Sequence, residues 1–145
     1  MKNSPARIRL QSAIALASRD ERAKFEALTA LDGVAAPTAS AILTLTHPRR
    51  YAVIDIRVWQ LLFDLGSVPH EAGRRGFTFN DWRDYLMVLR FHAKRQLGAS
   101  VRAVEYSLFL YHQRVREGCC MGEAVTAQFR RRCLRNSILG DAPRT

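Results

Sequence analysis

Apolar positions along the chain recur every three or four residues, the spacing of helices, and nowhere alternate persuasively as a strand would. Leu10, Ile14 and Ala17 mark a first helix, and Phe25, Leu28 and Leu31 a second that follows the capping-type Asp20. A turn at Asp32 and Gly33 precedes a third helix, which opens at Pro37, runs through Ile42 and Leu45 and ends before Pro48. After a loop at His47 to Tyr51, the extended run Ala52-Val53-Ile54 leads to Asp55. Ile56 to Leu65 then reads as a nearly all-apolar helix, with Val58, Trp59, Leu61, Leu62 and Phe63, and is expected to be central and buried.

The second half continues in the same way after one long irregular connection. That connection, Gly66 to Phe77, holds Pro69, Gly73 and Gly76 around Arg74-Arg75, and is expected to be mobile or functional. From about Asn80 to Leu97 the stripe Trp82, Leu86, Leu89 and Ala93 predicts a helix whose other face, Arg83, Arg90 and Lys94, is a candidate phosphate-binding ridge. Ser100 caps a further helix whose stripe, Val101, Val104, Leu108, Tyr111 and Val115, reads as core. Gly118 ends it, and a last helix from about Met121 carries Arg130, Arg131, Arg132 and Arg135. The prediction is an all-α chain, with a single compact domain of about six to seven helices over residues 1–140 and a disordered tail at 141–145.

Composition narrows the partners. At 145 residues, 48% hydrophobic and 25% charged, the chain is neither fibrous nor disordered in character. Its net charge of +10 points toward polyanions, nucleic acid first. All but three of the 23 basic residues are Arg, the exceptions being Lys2, Lys24 and Lys94, and guanidinium favours bidentate phosphate contact. No apolar run is long enough for a membrane span and no signal-like segment follows Met1, so a cytoplasmic protein without a membrane partner is expected. Cys119, Cys120 and Cys133 do not make a disulfide framework. Without C-x2-C spacing, no zinc, iron–sulfur cluster or other cofactor is expected.

The richest segment is Leu31-Asp32-Gly33-Val34-Ala35-Ala36-Pro37-Thr38-Ala39-Ser40-Ala41, where one helix ends, a tight turn exposes backbone and another helix begins. Consecutive amides at Val34 to Ala36, with the N–H groups and partial positive charge of the new helix, suit a phosphate. Gly33 supplies the dihedral, and Ala35, Ala36, Ala39 and Ser40 are small enough to admit a phosphodiester. Leu-x-Gly-Val-x-x-x-Thr-Ala-x-Ala followed by Val53-Ile54-Asp55 resembles the helix-hairpin-helix and catalytic-aspartate signature of the DNA glycosylase superfamily named for that motif. The resemblance covers Phe25 to Leu62, with the aspartate eighteen positions after Pro37. It implies a hairpin that grips the DNA backbone through Gly33, Val34, Ala35, Ala36, Thr38 and Ala39, beside an extruded nucleotide whose sugar faces Asp55. A carboxylate there stabilises positive charge on the deoxyribose or activates water as the N-glycosidic bond breaks. Asp55 also reads simply as the N-cap of the helix it precedes, and the two roles are compatible.

The chain departs from the family pattern in ways that shape the expectation. Pro37 stands where strand-cutting members carry an amine nucleophile, so a resemblance to the monofunctional kind is implied, with no Schiff-base chemistry. Ala35 replaces the second hairpin glycine, the cysteine cluster is missing, and about thirty residues precede the hairpin. The last point leaves three options: later helices wall the base pocket, a partner chain or second copy completes it, or the chain keeps the DNA grip alone. Tyr51 is a candidate for base stacking, whereas Trp59 and Trp82 read as core. Arg57, Arg74 and Arg75 are candidate DNA contacts, Arg57 reading equally as a carboxylate partner. Glu105 reads either as the partner of a nearby Arg or as a second active-site carboxylate. Three functions follow: base excision in DNA repair by a monofunctional glycosylase, a non-catalytic DNA-binding or adaptor module, and a helical protein–protein module.

Overall fold

The computed structural model describes residues 3–71, 76–96 and 98–117. Among the described residues the chain is all-α, with six helices: α1 Pro5–Ala17, α2 Glu21–Thr29, α3 Ala36–Thr46, α4 Ile56–Asp64, α5 Phe79–Arg95 and α6 Val101–Glu117. The last predicted helix from Met121, its arginines, the three cysteines and the 141–145 tail lie outside the described residues.

Side-chain caps explain most helix starts. The Ser4 hydroxyl accepts the Arg7 amide, the Asp20 carboxylate the Ala23 amide at 2.6 Å, and Ser100 the Ala103 amide at 3.0 Å. At α5, Thr78 and Asp81 cap each other reciprocally, a capping box. The exception is α3, which opens one residue earlier than the prolyl signal predicts: Ala35 occupies its cap position and offers no acceptor.

The core is aromatic. Trp82 stacks on Phe25 at 5.3 Å and lies 5.6 Å from Tyr51, while Trp59 packs 5.3 Å from Phe77 and 6.4 Å from Tyr85. Both indole N–H groups are satisfied by irregular backbone, Trp82 donating to the Ala52 carbonyl at 3.2 Å and Trp59 to that of His70 at 2.9 Å. The stripe on α5, from Trp82 through Leu86 and Leu89 to Ala93, is buried along its length, as are Val101 and Val104 of α6.

The first helix forms where Leu10, Ile14 and Ala17 mark it, but three elements are packed otherwise than helical spacing alone suggests. In α1, Leu10 and Ile14 face solvent and Ala15 alone is buried, because polar links rather than an apolar stripe hold this helix to α2. Asn3 exchanges two hydrogen bonds of 2.9 Å with the Asp32 backbone, Arg7 donates to the Ala30 carbonyl, and the buried Lys24 ammonium caps the end of α1 at the Ala15 carbonyl, 2.9 Å away. Second, α4 is not buried all round: it packs on α6 through one face, with Val58, Trp59 and Leu62 inside and Ile56 58% exposed. Third, the ridge on α5 is broken. Arg83 pairs with Asp84, and Arg90 is spent on Glu21 at 2.6 Å and on the Arg50 carbonyl, leaving Lys94 exposed.

Candidate functional site

Between the α2–α3 turn and the start of α4 lies a cleft of about 660 Å³. Val34, Ala35, Ala36 and Pro37 form one wall and Ile54, Asp55 and Ile56 another; Phe25 and Thr29 of α2 and Gly76-Phe77 of the loop before α5 complete it. A volume of that order is typical of small-ligand sites.

The turn wall is made by local sequence. The Val34 amide bonds back to the Leu31 carbonyl at 3.1 Å, and Gly33 adopts φ of +82°, a left-handed geometry that most side chains disfavour. Because Ala35 offers no cap, the first amides of α3, at Ala36 and Thr38, lack the side-chain acceptor other helix starts enjoy, and the helix dipole is directed at them. Asn3 and Arg7 brace the turn from behind, on Asp32 and the Ala30 carbonyl.

Tertiary contacts make the opposite wall. The extended segment leading to Asp55 is held from three helices: the Trp82 indole of α5 bonds the Ala52 carbonyl, the Ser40 hydroxyl of α3 accepts the Ile54 amide at 3.0 Å, and Glu105 of α6 faces the Val53 backbone. Asp55 then caps α4, its Oδ1 accepting the Arg57 amide at 2.8 Å and, more weakly, the Val58 amide at 3.4 Å. Oδ2 makes no hydrogen bond among the described residues. Behind it, the fully buried Tyr85 hydroxyl lies close to the Asp55 backbone without a hydrogen bond of full geometry. Burial pushes the Tyr85 phenol well above its ordinary value, with the negative charges of Glu105 and Asp55 adding to the rise. Burial likewise raises the Glu105 carboxyl, against the opposing pull of Arg102.

The loop side is clasped to α5. His70 Nε2 meets Asp81 Oδ1 at 2.8 Å, and its Nδ1 faces the Glu71 carbonyl at 3.0 Å. Two acceptors favour the imidazolium, so the Glu71 carbonyl first and Asp81 second raise the His70 pKa above its ordinary value.

Val34, Ala35, Ala36 and Asp55 thus share one cleft; the other candidates divide. Gly33 and Thr38 are exposed beside it without lining it. Ala39 and Ser40 are wholly buried, so their small size serves the packing of α3 and not access for a phosphodiester. Tyr51 is 1% exposed and packed against Trp82, which removes it from base stacking. Arg57 is exposed with its guanidinium 5.4 Å from the Phe109 ring, away from the cleft lining. Glu105 is paired with Arg102 and does not line the cleft. Arg74 and Arg75 lie outside the described residues. Sequence reasoning missed Ser40 as an anchor, Asn3 and Arg7 as braces, and Phe25 and Phe77 as walls. All five act across the fold, and no local pattern marks them.

Among the described residues, no helix is long and apolar enough to cross a membrane, and no three His, Cys, Asp or Glu side chains converge as a metal site would need. Comparison with protein-family models, with curated proteins and with solved structures finds no match for the chain.

Proposed function

We propose that this protein grips DNA through the α2–α3 turn and hydrolyses the N-glycosidic bond of a damaged or modified base, with Asp55 as the catalytic carboxylate. The observation that carries the proposal is the meeting of the Val34–Pro37 turn and Asp55, about twenty residues apart in sequence, in one cleft. A DNA phosphate would sit on the uncapped amides of α3, and the sugar of an extruded nucleotide would face Asp55. As the C1′–N bond breaks, the base leaves with the bonding electrons and takes a proton from solvent, to which the carboxyl later returns one. Water adds at C1′, and the carboxylate stabilises the cationic sugar and accepts the proton that water loses, leaving an abasic site and a free base. Pro37 carries no amine, so this chemistry stops at the abasic site.

The test is base release from duplexes carrying varied lesions, read by alkaline scission of abasic sites. Activity in the wild type that Asp55→Asn lacks supports the proposal; equal activity in both overturns the role of Asp55. A second reading, a DNA-binding module without chemistry, is favoured by the wall composition: apart from Asp55 the cleft side chains are apolar or, like Thr29, already bonded to backbone, and offer little to read a base edge. Salt-dependent duplex binding without base release supports that reading.

A further inference from the structure

At the far end of α3 from the cleft the chain makes a tight turn, Pro48–Arg50, closed by the Arg50 and Tyr51 amides on the His47 carbonyl at 2.9 and 3.0 Å. The carbonyls on either side of Arg49 are clamped by different helices. That of Pro48 accepts the Arg102 amide in the first turn of α6 at 3.1 Å, and that of Arg50 accepts two guanidinium N–H groups of Arg90 from α5, at 3.0 and 3.1 Å. Arg90 is itself fixed by Glu21 of α2, so the backbone carrying Arg49 is held by α5 and α6, with α2 bracing the α5 clamp.

This corner concentrates cations. Arg49, Arg50, Arg90, Lys94 and Arg102 belong to it, and the carboxylates tied into it are Glu21, shared by Arg50 and Arg90, and Glu105, paired with Arg102. Lys94 lies one helical turn beyond Arg90, on the same face of α5. Arg49 and Lys94 are exposed, and neither makes an ion pair among the described residues. Exposed cations without a carboxylate partner, on a backbone held in place, raise the local positive potential and attract a polyanion.

We infer that this corner is a second contact for the DNA backbone, with Arg49 and Lys94 on phosphates that the α2–α3 turn does not reach. The inference rests on the DNA-binding reading above. Along the eleven residues of α3 the two contacts stand about 16 Å apart, within one turn of a duplex of about 34 Å. The cleft end would hold a phosphate by backbone amides at close range, and the corner by long side chains that tolerate any sequence.

The experiment is fluorescence anisotropy of a short DNA duplex over a range of salt, with wild type, Arg49→Ala/Lys94→Ala and Arg49→Lys. Losing two phosphate contacts lowers the slope of log affinity against log salt by about 2 and weakens binding near 0.1 M salt by tenfold or more, roughly 50-fold at most. Arg49→Lys keeps the wild-type slope, and both variants keep the wild-type melting temperature because the side chains are exposed. A double variant that binds duplex as the wild type does, or that loses only its hold on anionic lipid vesicles, overturns the inference and leaves the turn reading intact. A wild type without measurable duplex affinity at low salt removes the DNA-binding reading itself.

Discussion

The two ends of α3 are built from opposite materials. At its N-terminus, Val34 to Pro37 offer short apolar side chains and a helix start without a side-chain cap, with no cation and a single carboxylate among the residues lining the cleft. At its C-terminus, Pro48 to Arg50 present long cationic side chains on backbone clamped by α5 and α6. The first arrangement would suit close approach, since short groups leave room for a reacting centre beside the half-buried Asp55. The second suits reach and adhesion, with charge that acts over a Debye length and is screened by salt. On the reading proposed above, one helix would hold DNA at both ends, by backbone amides beside the carboxylate and by side-chain charge at the far corner.

The sharpest break of that comparison is Asp55→Asn. If the cleft end reacts, base release falls by about 10²–10³-fold, the scale for losing one group that stabilises a developing charge, while duplex affinity holds. Asn is as good an N-cap as Asp, so the melting curve stays near wild type and separates chemistry from folding.

Next in size is Ser40→Ala, which leaves the buried Ile54 amide without its acceptor. A loss of about 1–3 kcal/mol in denaturant unfolding is expected, together with reduced activity as the segment before Asp55 loosens; unchanged stability would show that α3 does not position Asp55.

Gly33→Ala tests the turn alone. A Cβ at this position meets open space, so the cost is that of the left-handed dihedral, about 1 kcal/mol, with weaker duplex binding and an unchanged contribution from Arg49 and Lys94. A loss of salt slope in this variant would mean that the two ends are not independent.

The smallest effect concerns the clasp of His70 on Asp81 of α5. The folded His70 pKa lies above its ordinary 6.5, so the clasp contributes in full below pH 6.5 and is lost as pH rises through the folded value. An NMR titration of the His70 ring should give a midpoint above 6.5 in the wild type, reverting toward 6.5 in Asp81→Asn; a midpoint at or below 6.5 in the wild type removes the clasp.

Much of this was legible in order along the chain. Helical spacing located α2 to α6 to within a residue or two, and the aspartate before an apolar run marked the start of α4, because caps and stripes are local devices that carry their own physics. Spacing did not settle which faces are covered, because partners decide burial. Leu10 and Ile14 have helical spacing but no apolar surface opposite them, Ile56 faces away from α6, and Arg83 and Arg90 found carboxylates before they could form a ridge. Tyr51 reads as an open aromatic until Trp82 is packed against it.

The sequence by itself determined the helices, the turn at Gly33 and the presence of a carboxylate at the head of α4, since each depends on residues within a turn or two of one another. The tertiary structure decided that Asp55 lines one cleft with the turn, that Ser40, Trp82 and Glu105 hold the segment before it, and that Arg49 stands between two clamped carbonyls. These are contacts between residues tens of positions apart. They exist only once burial of the aromatic core has chosen which helices lie side by side, and no local spacing encodes that choice.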